Sequence, residues 1–137
     1  MRPLTILLAA AALAACAAAT ADAASQRYVA ADCRHLATRP TTIIVACGDG
    51  GVQLFGLNWS SFATTAHGRG VLSYRTCNPS CATGGVKKVS GVKVTLSGAK
   101  ACHNAGGRLV FRKVRISYPH RRPSGAPSGT LPLGCPI

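Results

Sequence analysis

Acidic residues are nearly missing from this sequence of 137 residues. Only 3 Asp and Glu accompany 16 Lys and Arg, so the formal net charge is +13. Two of the acids, Asp32 and Asp49, lie beyond the first 23 residues. General acid–base catalysis by carboxylates commonly needs a pair of them facing the substrate. Unless Asp32 and Asp49 meet in space, the sequence argues against an enzyme of that type.

Catalytic motifs are missing too. The chain contains no G-x-S-x-G elbow, no H-E-x-x-H motif and no G-x-x-x-x-G-K-[ST] phosphate loop. Its histidines, His35, His67, His103 and His120, are scattered among polar or basic neighbours, and each is predicted to be an exposed surface residue. We therefore predict no catalytic residue, no cofactor and no metal site.

Apolar runs are short, apart from one at the N-terminus. Leu4 to Ala19 is rich in Leu and Ala, follows Met1-Arg2 and precedes the small-residue sequence Ala21-Asp22-Ala23. This run is too short for a transmembrane helix, which needs about 20 apolar residues, but it is typical of a secretory signal peptide. We predict a signal peptide over residues 1–23, export, and no transmembrane segment.

The leader has a second interpretation. Leu13-Ala14-Ala15-Cys16 resembles a bacterial lipobox, in which the cysteine becomes the lipidated first residue. The signal peptide would then end at residue 15, and a lipid on Cys16 would anchor the protein to the cell membrane. Because Ala-rich leaders match this pattern easily, both interpretations stay open.

Six cysteines follow the leader, and an even set in a small exported domain predicts a disulfide framework. They are Cys33, Cys47, Cys77, Cys81, Cys102 and Cys135. An Asn-Pro turn lies between Cys77 and Cys81 and favours a bond between them. Cys33 with Cys47 and Cys102 with Cys135 complete our preferred pairing, although six cysteines allow fifteen pairings. The alternative is a zinc site of Cys77, Cys81, Cys102 and His103, which is disfavoured because exported thiolates oxidise.

Helical segments are scarce, and residues 26–38 are the best candidate for a short helix before Pro40. Strands separated by glycine-rich turns are predicted over residues 42–47, 52–59, 66–74, 92–96 and 109–118. A slip in the apolar alternation near Gly56 indicates a β-bulge. Trp59 is predicted to fill the space beside Gly68 and Gly70. These features predict a single all-β domain, an antiparallel sandwich or barrel stapled by three disulfides.

The mature chain divides by composition into three parts. An N-terminal segment, 24–40, precedes the β domain, 41–118, and a tail rich in Pro, Gly and Ser, 119–137, follows it. Ten of the cations lie between Lys87 and Arg122, which concentrates charge on part of the surface. On the strand Leu109–Tyr118, alternation places Phe111 on the same face as Lys113 and Arg115.

Several short motifs resemble a known family. They are Ala46-Cys47-Gly48-Asp49-Gly50, then Trp59-Ser60-Ser61, then Cys77-Asn78-Pro79-Ser80-Cys81-Ala82. This order is similar to that of small exported proteins of actinobacteria with an ACGDG…W[ST]S…C-x-P-x-C-A pattern. The resemblance covers about residues 33–118 and implies export and a compact β domain. It brings no catalytic residues to transfer.

The excess of positive charge predicts anionic partners. An exported cationic protein meets anionic wall polymer, membrane surface and nucleic acid, and alternation points Lys93, Lys113 and Arg115 away from the core. Few aromatics accompany these cations, which favours polyanion contact without sequence-specific recognition of nucleic acid. We predict a non-enzymatic envelope-associated protein. The alternatives are a small ribonuclease-like hydrolase, indicated if a His–Asp or His–His pair meets in a cleft, and an enzyme inhibitor, for which no reactive-loop signature is present.

Overall fold

Alternating apolar and polar runs form ten strands within residues 26–137, the part of the chain that the computed structural model describes. The strands are β1 (Arg27–Ala30), β2 (Leu36–Ala37), β3 (Ile43–Ile44), β4 (Val52–Phe62), β5 (Ala66–Arg75), β6 (Val86–Ser97), β7 (Lys100–Ala101), β8 (Leu109–Val110), β9 (Lys113–Ser117) and β10 (Thr130–Pro132). The predicted all-β class is confirmed, and the curled sheets form a half-barrel.

The strands assemble into two sheets. The larger has the order β10-β9-β6-β5-β4-β3, and the smaller has the order β2-β1-β8-β7. Neighbouring strands are antiparallel except β1 and β8, which run parallel. In the described residues, no helix is long and apolar enough to cross a membrane. The predicted signal peptide and the lipobox cysteine, Cys16, lie outside the described residues.

Period-two alternation builds the core from one face of the larger sheet. On β6, Val92, Val94 and Leu96 are buried while Lys93 is exposed. Burying each aliphatic side chain stabilises the fold by about 1.5–3 kcal/mol, and a one-residue slip would turn all of them toward water. The hydrophobic effect therefore determines which face of this sheet is outward.

Trp59 on β4 packs against the backbone of Gly68 on β5, its partner in the sheet. A Cβ atom at position 68 would lie 2.8 Å from Cε3 of the indole, so only glycine leaves room for the ring. The indole is 8% exposed, and its Nε1 donates a hydrogen bond to the Pro40 carbonyl over 2.8 Å. The predicted packing of Trp59 beside Gly68 is thus confirmed, whereas the space beside Gly70 is taken by Leu57 and the Phe55 carbonyl. The predicted bulge is present as well, since the register shifts around Gly56, whose φ is 59°.

The described part of the N-terminal segment, residues 26–40, contains two strands, so the best candidate for a short helix, 26–38, does not form one. Val29 is fully buried, and β1 pairs with both β2 and β8. Cys33, with φ of 69°, adopts the left-handed conformation, which interrupts any helix at that point. Pairing with a distant strand and burial of Val29 therefore outweigh the local preference of the segment.

The strand predicted over residues 109–118 is divided, because β8 belongs to the smaller sheet and β9 to the larger. The chain changes sheet at Phe111 and Arg112, and the Phe111 ring is completely buried. The prediction that Phe111 shares the outer face of Lys113 and Arg115 was therefore wrong. The break between the strands turns Phe111 inward, where its ring meets Phe62 edge-on at 5.5 Å between centroids.

Three disulfides fasten the irregular parts of the fold to the sheets, and the preferred pairing is confirmed. Cys33 bonds to Cys47 and Cys102 bonds to Cys135, with Cα atoms 5.8 Å apart in each pair. Cys77 bonds to Cys81 at the tip of the β5–β6 hairpin. The C-terminal tail is also held by β10, which pairs with β9. All three cysteines of the zinc alternative are in disulfides, so their sulfurs are not available as thiolate ligands.

Replacing Trp59 by alanine should lower the free energy of unfolding by about 3–5 kcal/mol, the cost typical of deleting a large aromatic side chain from a core. The physical reason is the loss of the packing on Gly68 together with the edge-on contact to Phe62 at 5.3 Å. Urea denaturation followed by circular dichroism measures the change. Indole emission of the native wild type at the wavelength of a water-exposed tryptophan would contradict the buried position.

Candidate functional site

The outer face of the larger sheet carries the cations that the sequence singled out. Lys93 lies on β6, and Lys113 and Arg115 lie on the adjacent strand β9. All three side chains are exposed. In the antiparallel register, Thr95 pairs with Arg115 and Ser97 pairs with Lys113, so these residues point to one side of the sheet. The structure therefore brings the three predicted residues together.

A fourth cation, Arg69 on β5, extends this group. Arg69 is exposed and lies directly opposite Lys93 in the register of β5 and β6. We call Arg69, Lys93, Lys113 and Arg115 together the basic face. Sequence reasoning did not include Arg69, although its alternation with Gly68 and Gly70 already indicated that it points outward. Only the register of the sheet identifies Lys93 as its neighbour.

No carboxylate of the described residues neutralises the basic face. Asp32 lies in the turn between β1 and β2, where it pairs with His35. Asp49 lies in the turn between β3 and β4, where its Oδ1 accepts a hydrogen bond from the Gly51 amide over 2.8 Å. Asp49 therefore has the ordinary backbone-bonding role of an aspartate in a turn. Each aspartate is thus bonded within its own turn.

A groove of about 540 Å³ runs beside Arg69 and Lys93. It is lined by Asn58, Ser60, His67, Gly68, Arg69, Lys93, Val94 and Thr95. The His67 ring is held at its rim, since Nδ1 lies 3.4 Å from Thr95 Oγ1 and Nε2 lies 3.2 Å from Thr65 Oγ1. The groove thus combines two cations with hydroxyl, amide and imidazole groups that can form hydrogen bonds to an anion.

The aromatic residues near the basic face are engaged within the protein. Phe111 is buried, and the Tyr118 hydroxyl donates a hydrogen bond to the Pro127 carbonyl. Partial burial raises the pKa of Tyr118 above its ordinary value. The Phe55 ring is covered by the Lys88 ammonium, which lies 5.2 Å from its centroid. These three rings are therefore not free to stack on nucleic-acid bases, the contact typical of single-strand binders.

A His–Asp pair is present on another part of the surface. His35 Nδ1 lies 2.6 Å from Asp32 Oδ2, and Asp32 Oδ1 also accepts hydrogen bonds from the backbone amides of Arg34 and His35. The hydrogen bond from the His35 ring, helped by those two amides, holds the pKa of Asp32 well below its usual range. The side chains are 82% and 52% exposed, so water screens the pair. The Asp-x-x-His spacing was the signal available in the sequence.

His35 lines a second groove, of about 520 Å³, together with Arg34, Asn104 and Arg108. The Arg108 guanidinium is placed over the Tyr28 ring, 5.7 Å from its centroid. Nδ1 of His35 faces Asp32, so Nε2 is the ring nitrogen that lies outside this contact. Among the described residues that line this groove, no second proton-transfer side chain accompanies His35. The other histidines, His103 and His120, are exposed and lie outside both grooves.

Comparison with protein-family models, with curated proteins and with solved structures found no match to this chain. The resemblance to small exported proteins of actinobacteria therefore stays a prediction. Within residues 26–137, no three His, Cys, Asp or Glu side chains are grouped as metal ligands would be. Any functional conclusion for this chain therefore has to come from its own surface chemistry.

Replacing Asp32 by asparagine should lower stability at neutral pH, and the difference from the wild type should shrink below about pH 4. A carboxylate whose pKa is depressed by folding stabilises the native state above its unfolded pKa of about 3.9, and this contribution is lost as pH falls through the folded pKa. Urea midpoints at pH 7 and pH 3 measure the effect. In His35→Ala, NMR titration should show the Asp32 pKa returning toward the usual value. An unchanged Asp32 pKa in that variant would contradict the assigned cause.

Proposed function

We propose that this chain is an exported, non-enzymatic protein that binds anionic polymers through the basic face. One observation carries the proposal: four exposed cations lie on three neighbouring strands of one sheet, and neither aspartate of the described residues forms a salt bridge with them. A rigid sheet fixes the relative positions of these strands, so the cations are presented together. An extended surface of this kind suits a linear polyanion.

The cellular setting agrees with such a ligand. Three disulfides indicate an oxidising, extracellular environment. The apolar leader supports secretion after residue 23, and Cys16 supports the alternative of a lipid anchor at the membrane. In either form the protein would meet wall polymers and the membrane surface first. We therefore propose anionic wall polymer, or the anionic membrane surface, as the principal partner.

Binding of this kind is driven by counterion release. A polyanion holds condensed cations, and each phosphate that Lys or Arg neutralises releases some of them to solution. Such binding weakens steeply with salt and carries little sequence information, because phosphates are the same along the polymer. The engaged rings of Phe111, Tyr118 and Phe55 support this mode over base recognition.

A hydrolase is the second candidate, and the Asp32–His35 pair favours it. Asp32 holds Nδ1 of His35, which leaves Nε2 to accept a proton, and Arg34 and Arg108 line the same groove and would attract a phosphate. A base with an orienting carboxylate is half of an acid–base mechanism. The pair is open to solvent and local to one turn, however, and the groove lining adds no general acid. We therefore place hydrolysis second.

Binding should fall steeply with salt. If the four cations of the basic face each contact one phosphate, affinity should drop roughly 50-fold between about 50 and 200 mM salt, from a slope of about −0.7 per phosphate. Lys93→Glu/Lys113→Glu/Arg115→Glu should abolish binding to purified cell wall, anionic vesicles and DNA. The measurement is equilibrium binding by fluorescence anisotropy for DNA and by co-sedimentation for wall and vesicles.

A matched control separates the basic face from overall charge. Lys87→Glu/Lys100→Glu/Arg121→Glu changes the net charge equally at exposed sites that lie outside the basic face. The control should retain most of the binding. Equal loss in both triple variants would mean that net charge alone matters, and the absence of wild-type binding even at low salt would reject the proposal.

The second candidate has its own test. If the Asp32–His35 pair is only a turn contact, the protein should leave RNA and poly(glycerol phosphate) intact after prolonged incubation. Gel electrophoresis and phosphate release measure cleavage. Cleavage that follows a bell-shaped or sigmoidal pH profile and disappears in His35→Ala would make hydrolysis the primary function instead. This conclusion would hold even if Lys93→Glu/Lys113→Glu/Arg115→Glu binds no polymer.

A further inference from the structure

Arg69 and Lys93 form an unfavourable pair in the most extensively paired part of the sheet. They lie directly opposite each other on β5 and β6, strands whose register runs from Ala66↔Leu96 to Arg75↔Val86. Side chains at such positions have Cβ atoms about 4.5–5.5 Å apart, and like charges there destabilise the sheet. Both are exposed, and the described residues provide neither with a carboxylate partner. An anion between them would remove the repulsion.

The register places neutral donors on both sides of this pair. Asn58 on β4 lies opposite Arg69, and Ser117 on β9 lies opposite Lys93. In one row across strands β4, β5, β6 and β9, exposed side chains therefore carry an amide, a guanidinium, an ammonium and a hydroxyl group, in that order. Arginine donates two parallel hydrogen bonds to a phosphate, lysine supplies a point charge, and neutral donors complete the shell of a tetrahedral oxyanion.

Hydroxyl groups in and beside the groove hold its His67 residue in place. Thr95 Oγ1 and Thr65 Oγ1 hold the His67 ring between them, and Ser60 Oγ donates a hydrogen bond to the His67 carbonyl over 3.1 Å. None of the lining residues is Phe, Tyr or Trp, and both nitrogens of the His67 ring contact threonine hydroxyls, so the groove lacks the large aromatic surface on which bases usually stack. We therefore expect these side chains to bind the phosphate itself, whichever chemical groups are attached to it.

The remaining cations continue from this row along the sheet. Arg115 lies opposite Thr95, two residues along β6 from Lys93, and Lys113 lies opposite Ser97, two residues further. Each step is about 6.8 Å along the strand direction, because an antiparallel strand rises about 3.4 Å per residue, and the step from Lys93 to Arg115 also crosses from β6 to β9. The cations thus form a diagonal track that begins at Arg69 and Lys93, as a linear chain of repeated phosphates requires.

We propose that Arg69 and Lys93, with Asn58, Thr95 and Ser117 around them, form the primary phosphate subsite of the basic face. The ligand class is a linear phosphodiester-linked polymer recognised through its phosphates. This assignment rests on the proposed polyanion binding and names its ligand chemistry. Replacing either cation by a neutral residue should stabilise the free protein and should remove the rise of Tm that phosphate causes.

The first experiment uses inorganic phosphate as the probe. Lys93→Thr should raise Tm of the free protein by about 1–4 °C, because it removes the repulsion with Arg69. The control, Lys87→Thr, makes the same chemical change at an exposed site of β6 outside the basic face, opposite Tyr74, where no like charge lies, and should leave Tm unchanged. Phosphate should raise Tm of wild type and Lys87→Thr by more than it raises Tm of Lys93→Thr, and general salting-in or salting-out effects cancel in this comparison. Arg69→Gln should behave as Lys93→Thr does.

The second experiment compares polymers of equal charge number. Poly(glycerol phosphate) and an abasic oligodeoxynucleotide should bind with similar affinity, and poly-glutamate should bind more weakly. Lys93→Thr should erase this preference and lower the salt slope by about 1. Equal binding of all three polymers, with Lys93→Thr and Lys87→Thr alike in Tm and affinity, would overturn the subsite and leave polyanion binding in place. No wild-type binding to any polymer at low salt would overturn both.

Discussion

The contact between the Trp59 indole and the backbone of Gly68 sets the register on which the rest of the structure depends. Trp59 and Gly68 are paired residues of β4 and β5, and the ring occupies the space that a side chain at position 68 would need. Once the indole is inside, period-two geometry turns Asn58 and Arg69 outward and places them opposite each other. The bulge at Gly56 is part of the same arrangement, because it returns Leu57 and Trp59 to the core after Leu54.

The strand register also has an energetic cost on the outer face of the larger sheet. Burial of Val92, Val94 and Leu96 requires Lys93 to point outward, and the β5–β6 register places it against Arg69. A sheet selected for stability alone would place opposite charges or small polar groups there. The fold therefore tolerates a local repulsion between its central strands β5 and β6. The described residues give neither Arg69 nor Lys93 a carboxylate partner that would relieve this repulsion.

Cross-links and long-range pairing hold the segments that lack their own regular structure. Cys33–Cys47 ties the β1–β2 region to the loop after β3, and Cys102–Cys135 ties the tail to the smaller sheet. In the chain-entropy view, a closed loop of about 15 residues is worth about 3 kcal/mol. The tail gains further support from β10 and from the bond between the Leu133 amide and the Arg112 carbonyl, over 2.8 Å. These ties leave the larger sheet as a rigid base for the basic face.

Local patterns in the sequence were sufficient for strands β3 to β5 and the buried half of β6, the bulge at Gly56, the Cys77–Cys81 disulfide and the outward direction of Lys93, Lys113 and Arg115. Each depends on spacing along the chain: alternation of two, a glycine that interrupts it, or a short turn between cysteines. Tertiary structure alone decided that β1 runs parallel to β8, that Phe111 turns inward, that His35 meets Asp32, and that Arg69 faces Lys93. For β1, Phe111 and Arg69 the physical reason is that burial and strand pairing join residues distant in sequence, and the free energy of those contacts exceeds local preference. For His35 the turn at Cys33 folds the Asp-x-x-His spacing back on itself, a conformation that spacing alone does not specify.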